Sequence, residues 1–133
     1  MQRDVVLRWI DTISALIARI LRHDPTVTID LAQAQLDEAK GMLLGPVELL
    51  VPHLSPGQIA DLLFDPFRIY GYAQLLALES AIAGARSDPA AARRLAARAT
   101  SLAREALDRS DPKPAEWAAW IAAAEDELAA GSE

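Results

Sequence analysis

Apolar residues recur along most of this chain at three- and four-residue steps, the repeat of one face of an α-helix. Val6, Trp9, Ile13, Leu16, Ile17 and Ile20 form one such stripe and predict a first helix over Arg3 to Arg22. Asp4 and Arg8 lie four apart on it and can pair at the surface. Asp24-Pro25 stops it, because a residue that precedes proline avoids the α region. Ile29, Ala32, Leu36, Ala39 and Leu43 predict a second helix over Thr28 to Leu44, closed by Gly45-Pro46. The two are expected to form an antiparallel hairpin over 3–45. From 46 to 64 the pattern changes. Pro46, Pro52 and Pro56 interrupt Leu49, Leu50, Val51, Leu54, Ile59, Leu62, Leu63 and Phe64. That reads as a helical turn over Pro46 to Val51, then a short helix over Pro56 to Phe64 opened by a Ser55/Gln58 capping box. So apolar a segment is expected to be buried as a plug between two hairpins.

Three Asp-Pro pairs punctuate the rest: Asp65-Pro66, Asp88-Pro89 and Asp111-Pro112, each 23 residues after the last. Asp is a favoured N-cap and Pro suits the first helical position, so each pair marks a helix start. The helix over Pro66 to Ala85 is apolar nearly all round and is therefore expected to be central. Gly71 inside it costs about 1 kcal/mol against Ala and is expected to admit a close neighbouring backbone. The helix over Pro89 to Arg109 has a narrower stripe, Leu95, Ala99, Leu102, Ala103, Ala106 and Leu107, with arginines over the remainder. A last helix follows Lys113-Pro114 and runs to Ala130 with Trp117, Trp120, Ile121, Ala124 and Leu128 on one face. Glu125, Asp126 and Glu127 carry the wrong sign for its C-terminal dipole and are expected to fray it. The chain thus predicts one all-α domain over 1–133 with six to seven helices. Its parts are the hairpin over 3–45, the Pro-rich pieces over 46–64, a hairpin over 65–110 and a helix over 113–130.

Composition narrows the chemistry. With 52% apolar and 24% charged residues the 133-residue chain has the balance of a folded domain rather than a disordered one. A net charge of −6 repels a phosphate backbone, so nucleic acid is not an expected partner. Cysteine is absent, which excludes zinc-thiolate and thiol chemistry. No uncharged run approaches the roughly 20 residues that span a bilayer, and the apolar part of the first helix is punctuated by Asp4, Arg8, Asp11 and Arg19, unlike a signal peptide. A cytoplasmic protein without membrane association is expected.

Two segments are familiar. Arg3-Asp4-Val5-Val6-Leu7-Arg8-Trp9-Ile10, followed by Ala15 to Leu21, resembles the opening of a family of uncharacterised bacterial helical proteins of unknown function. Ala73-Gln74-Leu75-Leu76-Ala77-Leu78-Glu79, followed by Ala92 to Leu107, resembles that family's second half, which looks like a degenerate tetratricopeptide (TPR-like) hairpin. The likeness covers about residues 3–108. Ala92 and Ala99 keep the alanine spacing of a TPR second helix, whereas its Leu-Gly and closing Pro are not in place. The resemblance implies a helical-hairpin fold and transfers no functional residues.

Candidate sites compete with ordinary structural roles. His23 and His53 have no metal-ligand spacing and read as capping or solvent-exposed, so no metal is expected. Glu79 lies on an otherwise apolar stripe, either ion-paired with an arginine or acting as a binding group in a groove with Arg68 and Tyr72, which share its face. The arginines of the helix over Pro89 to Arg109 (Arg93, Arg94, Arg98, Arg104, Arg109) read as a solvated, partly paired face, or as a surface for an acidic partner. Trp117 and Trp120, three apart, either dock the last helix on the core or form an interface with a second chain. Ser110-Asp111-Pro112-Lys113 has the Ser-x-x-Lys form but lies in a Pro-broken linker, and no Gly-rich phosphate loop exists. Neither a catalytic residue nor a cofactor is expected. The leading expectation is a non-enzymatic protein-interaction or assembly module with a helical groove, binding a protein partner or its own copy. The alternative is a small-ligand-binding or regulatory domain.

Overall fold

The computed structural model describes residues 3–131, with side chains from Asp4 onward, and among these there are six α-helices and no strand. They are α1 (Arg3–Leu21), α2 (Ile29–Leu44), α3 (Pro56–Leu63), α4 (Pro66–Ala85), α5 (Pro89–Asp108) and α6 (Ala115–Ala130), with 3-10 turns at Gly45–Val47 and Val51–His53. The fold is all-α, as expected. Side-chain caps set the starts. Thr28 Oγ1 accepts the Leu31 N–H at 3.1 Å. Ser55 and Gln58 form the reciprocal capping box. Asp65 accepts from the Phe67 N–H at 3.0 Å, and Asp88 from the Ala91 N–H at 3.1 Å.

The third Asp-Pro pair does not start a helix. Pro114 follows two residues later and drives Lys113 out of the α region, so α6 begins only at Ala115 with Pro114 as its N-cap. Gly45 ends α2 at φ 57°, ψ −130°, a backbone state that suits glycine alone.

The α4–α5 hairpin is the centre, and α4 is buried over most of its middle turns. Helices α1 and α2 pack chiefly on α4 and much less on each other. Gly71 does admit a close neighbour: a Cβ there would meet Val6 Cγ1 at 3.3 Å and Leu43 Cδ2 at 3.4 Å, which are side chains rather than the expected backbone. Helix α3 packs on α5 and α4, so the Pro-rich segment is not a plug wedged between two hairpins. Nor is it wholly buried. Val51, Ile59, Ala60 and Leu63 enter the core, whereas Leu49 (85% exposed) and Phe64 (82%) face outward. Phe64 is the centre of a tight turn, φ 67° and ψ −52°, in which the Asp65 N–H donates to the Leu63 carbonyl at 2.8 Å.

Helix α6 packs on α5 and reaches α4 through its aromatic face. Trp117 stacks on Tyr70 with ring centroids 4.3 Å apart and planes 5° from parallel, and Phe67 meets it edge-on at 5.0 Å. Trp117 is buried, so it docks α6 on the core and offers no surface to a second chain. Trp120 is half-buried and meets Tyr70 edge-on at 6.2 Å.

Candidate functional site

Helices α1 and α6 both lie against the α4–α5 hairpin without packing side by side. Between them is a trough of about 630 Å³, within the range of small-molecule and groove sites. Its floor is built from small residues at helical spacing: Ala77, Ala81 and Gly84 on α4, Ala92, Ala96 and Ala99 on α5. Ile17, Ile20 and Leu21 of α1 make one wall, and Trp120, Ala124 and Leu128 of α6 the other. Leu21 is 66% exposed, and Ile17, Ala77, Ala81, Ala96 and Trp120 are half-buried. Large apolar side chains on these walls therefore stand in contact with solvent, and the alanine floor leaves the space that larger residues would have filled.

Polar groups are few and mostly engaged. Ser80 Oγ donates to the Ala92 carbonyl at 2.6 Å, and Thr100 Oγ1 to the Ala96 carbonyl at 2.8 Å. Arg93 donates to the carbonyls of Gly131 (2.5 Å) and Leu128 (3.2 Å), capping α6. The acidic last turn of α6 is thus compensated from α5 rather than left to fray, and Arg104 pairs with Glu125 one helix across. His23 lies at the rim in the left-handed region, φ 55°, where its N–H donates to the Ile20 carbonyl as α1 ends.

The three residues expected to form a groove are placed apart in role. Arg68 donates through Nε to the Leu43 carbonyl at 2.7 Å and through Nη2 to the Leu44 carbonyl at 3.2 Å, capping α2. Tyr72 is buried, and burial pushes its phenol above the ordinary value, partly opposed by Arg98. Glu79 pairs with Lys40 of α2, not with an arginine. Burial pushes the Lys40 ammonium below its ordinary value, against the pull of Asp37 and Glu48. This pair lines a second, polar cleft of about 300 Å³ with Gln33, Arg86 and Asp88.

Four of the five arginines expected to form a face, Arg93, Arg98, Arg104 and Arg109, are engaged within the fold, while Arg94 is exposed. Arg98 donates to the carbonyls of Val51 (3.1 Å) and Leu54 (2.5 Å), and Arg109 pairs with Asp61 at 2.8 Å and Glu105 at 3.4 Å. Ser110 Oγ donates to the Pro112 carbonyl, while Lys113 Nζ caps α5 at the Leu107 carbonyl, 3.1 Å, so the Ser-x-x-Lys pair is not joined through its side chains. No helix among the described residues is long and apolar enough to cross a membrane.

The trough itself escaped sequence reasoning. Its floor alanines read as tight packing positions, and the one usable signal was their number on two facing helices with only one further helix, α6, to cover them. Comparison with protein-family models, with curated proteins and with solved structures gave no match.

Proposed function

We propose that this chain is a non-enzymatic, cytoplasmic protein-interaction module of the TPR-like helical kind, whose trough receives a helical segment of a partner. The observation that carries the reading is the apolar 630 Å³ trough between α1 and α6 over an alanine floor. A helix laid there meets side-chain walls on two sides and close backbone approach below, which is the helix-in-groove mode of recognition. The antiparallel α4–α5 hairpin, bound by Ser80 to Ala92, supplies the floor such a mode needs.

The test is a photo-crosslinking residue at Ala96, introduced into the whole chain and irradiated in native lysate. Adducts mapping to one apolar helical segment of a protein, lost when free trough-filling variant Ala81→Leu replaces the parent chain, support the reading. Adducts with small molecules only would move it to the second reading, a small-ligand site. That second reading has one observation of its own, the convergence of Lys40, Glu79, Arg86, Asp88 and Gln33 on the polar cleft.

A further inference from the structure

Helix α4 carries a hollow on each side. Its trough residues Ala77, Ala81 and Gly84 and its cleft residues Glu79, Ala83 and Arg86 fall on opposite faces of the helix. The polar cleft therefore opens away from the trough, between α2 and the α4–α5 hairpin. Helix α2 contributes Lys40, helix α4 contributes Glu79, and Ile82, Ala83 and Leu95 form an apolar wall beside them.

Lys40 and Glu79 meet where little water reaches. Lys40 is half-buried, Glu79 Oε1 is buried, and among the described residues that oxygen has one polar partner, Lys40 Nζ. A carboxylate that stays charged when buried draws on two or three donors. With one donor, and with both groups partly stripped of water, the charged pair gains little over the neutral pair of amine and carboxylic acid. Burial indeed outweighs the pull of Asp37 and Glu48 on the Lys40 ammonium. The other charges on the lining are engaged, Arg86 with Gln33 at 3.3 Å and Asp88 with the Ala91 N–H at 3.1 Å. A partly desolvated lysine beside a proton acceptor is the arrangement that amine nucleophiles require. The chain's other lysine is built differently. Lys113 Nζ donates to the carbonyls of Leu107 (3.1 Å), Asp108 (3.3 Å) and Ser110 (3.4 Å), which occupies all three of its hydrogens.

We propose that Lys40 is a nucleophilic amine that captures a short-chain aldehyde in the cleft as a reversible imine, with Glu79 passing the proton. The inference rests on the second reading above, a small ligand in this cleft, and on no occupant of the trough. Glu79 takes a proton from the ammonium, and the freed Nζ lone pair forms a bond to the carbonyl carbon. The carbonyl π pair moves to oxygen, which takes a proton from that nitrogen. Glu79 then returns its proton to the resulting hydroxyl, which leaves as water while the nitrogen lone pair closes the C=N bond. Ammonium and aldehyde thus give a protonated imine and water, with no change of oxidation state. The nitrogen keeps its positive charge, so Glu79 keeps its partner. An acyl group on Lys40 would instead neutralise the nitrogen and leave a buried carboxylate unpaired, which is why the site suits a carbonyl rather than an acyl donor. At about 300 Å³ the cleft is at the small end of ligand sites, and its apolar wall suits a short alkyl chain.

The full chain is treated with butanal and cyanoborohydride at neutral pH, which reduces the protonated imine to a stable secondary amine. Labelled positions are read by peptide mass spectrometry, with Lys113 as the internal standard. Lys40 is expected to label at least about tenfold faster than Lys113, the gain of a bound over a free reactant, and to saturate with butanal. Glu79→Gln keeps the side-chain shape and should slow labelling at Lys40 about tenfold or more by removing the proton carrier; an unchanged rate would overturn that role. Equal labelling of the two lysines in the parent chain, or labelling of Lys40 that rises linearly with butanal, would overturn the inference without recourse to a variant. Titration with 1-butanol, which has no carbonyl, separates that failure from a wider one. If it still shifts the methyl signals of Ile82 and Leu95, the cleft remains a ligand site and the imine alone falls; if it does not, the second reading falls as well.

Discussion

Gly45 and Asp24 show how single residues fix the chain's turning points. At φ 57° and ψ −130° Gly45 lets the chain leave α2 directly into Pro46. A side chain there meets open space, so the cost of Gly45→Ala is backbone strain alone, about 1–3 kcal/mol. Urea unfolding should show the loss as a lowered midpoint with an unchanged slope. Asp24 accepts from the Thr26 hydroxyl at 2.7 Å and the Thr26 N–H at 2.9 Å, with the Arg19 guanidinium beside it. The Thr26 bonds first, then Arg19, hold its carboxyl at about 2, below the ordinary 3.8. A carboxylate depressed by folding stabilises the native state above its ordinary value, and the contribution is lost as pH falls through the folded value. The gap in melting temperature between the parent and Asp24→Ala should therefore be flat above pH 3.8 and shrink as pH drops to about 2. The turn chemistry of Asp65-Pro66, Asp88-Pro89 and Gly45-Pro46 was legible because Asp caps and Pro opens a helix while Gly closes one. His23 and Ser87, both at positive φ, were not, since only a small fraction of either residue type adopts the left-handed region and the sequence does not mark which.

At the scale of elements, boundaries followed the sequence closely wherever a cap and a stripe agreed. Helix α4 spans Pro66–Ala85 as expected, and α5 ends one residue before the expected Arg109. The departures occurred where two prolines competed, at Pro112 and Pro114, and in the 46–64 segment, whose side chains could not all face one core. The means of closing helices was also hidden. Helices α2, α4, α5 and α6 have no basic residue in their last turn. Three of the four borrow one instead: α2 from Arg68, α5 from Lys113 and α6 from Arg93. Arg68 reaches 25 residues back along the chain, so no local window contains the interaction. Arg68→Met should cost about 1–3 kcal/mol by leaving two carbonyls without their charged donor, measured by chemical denaturation. A residue kept for ligand binding alone would leave stability unchanged on that substitution.

Over the whole molecule, the aromatic stack decides how α6 is attached. Trp117→Ala removes a buried indole between Tyr70 and Phe67 and should cost about 3–5 kcal/mol, with no change in molecular mass by light scattering. The same burial, with a smaller push from Glu116, raises the Tyr70 phenol to about 12, and Tyr72 is raised as well. These are the two tyrosines of the chain. A phenol raised by folding favours the native state below its unfolded value near 10 and loses that contribution as pH climbs through the folded one. Alkaline titration should show clearly less tyrosinate absorbance from the folded chain at pH 10 than from the unfolded chain, which is about half ionised there, and stability should fall between pH 10 and about 12 as Tyr70 titrates. The all-α class was readable from periodicity. The trough was not, because an alanine on a helix face reads the same whether another helix covers it or solvent does.

The floor of the trough also sets a length. On α4 its lining runs only from Ala77 to Ala85, so a rod seated there meets apolar floor over that span alone. Extending its greasy stripe past the span of Ala77 to Ala85, about two turns, adds residues that hang outside in water. Affinity should rise with stripe length up to that span and then level off, which makes the chain a gauge of how long an apolar segment is as well as a receptor for it.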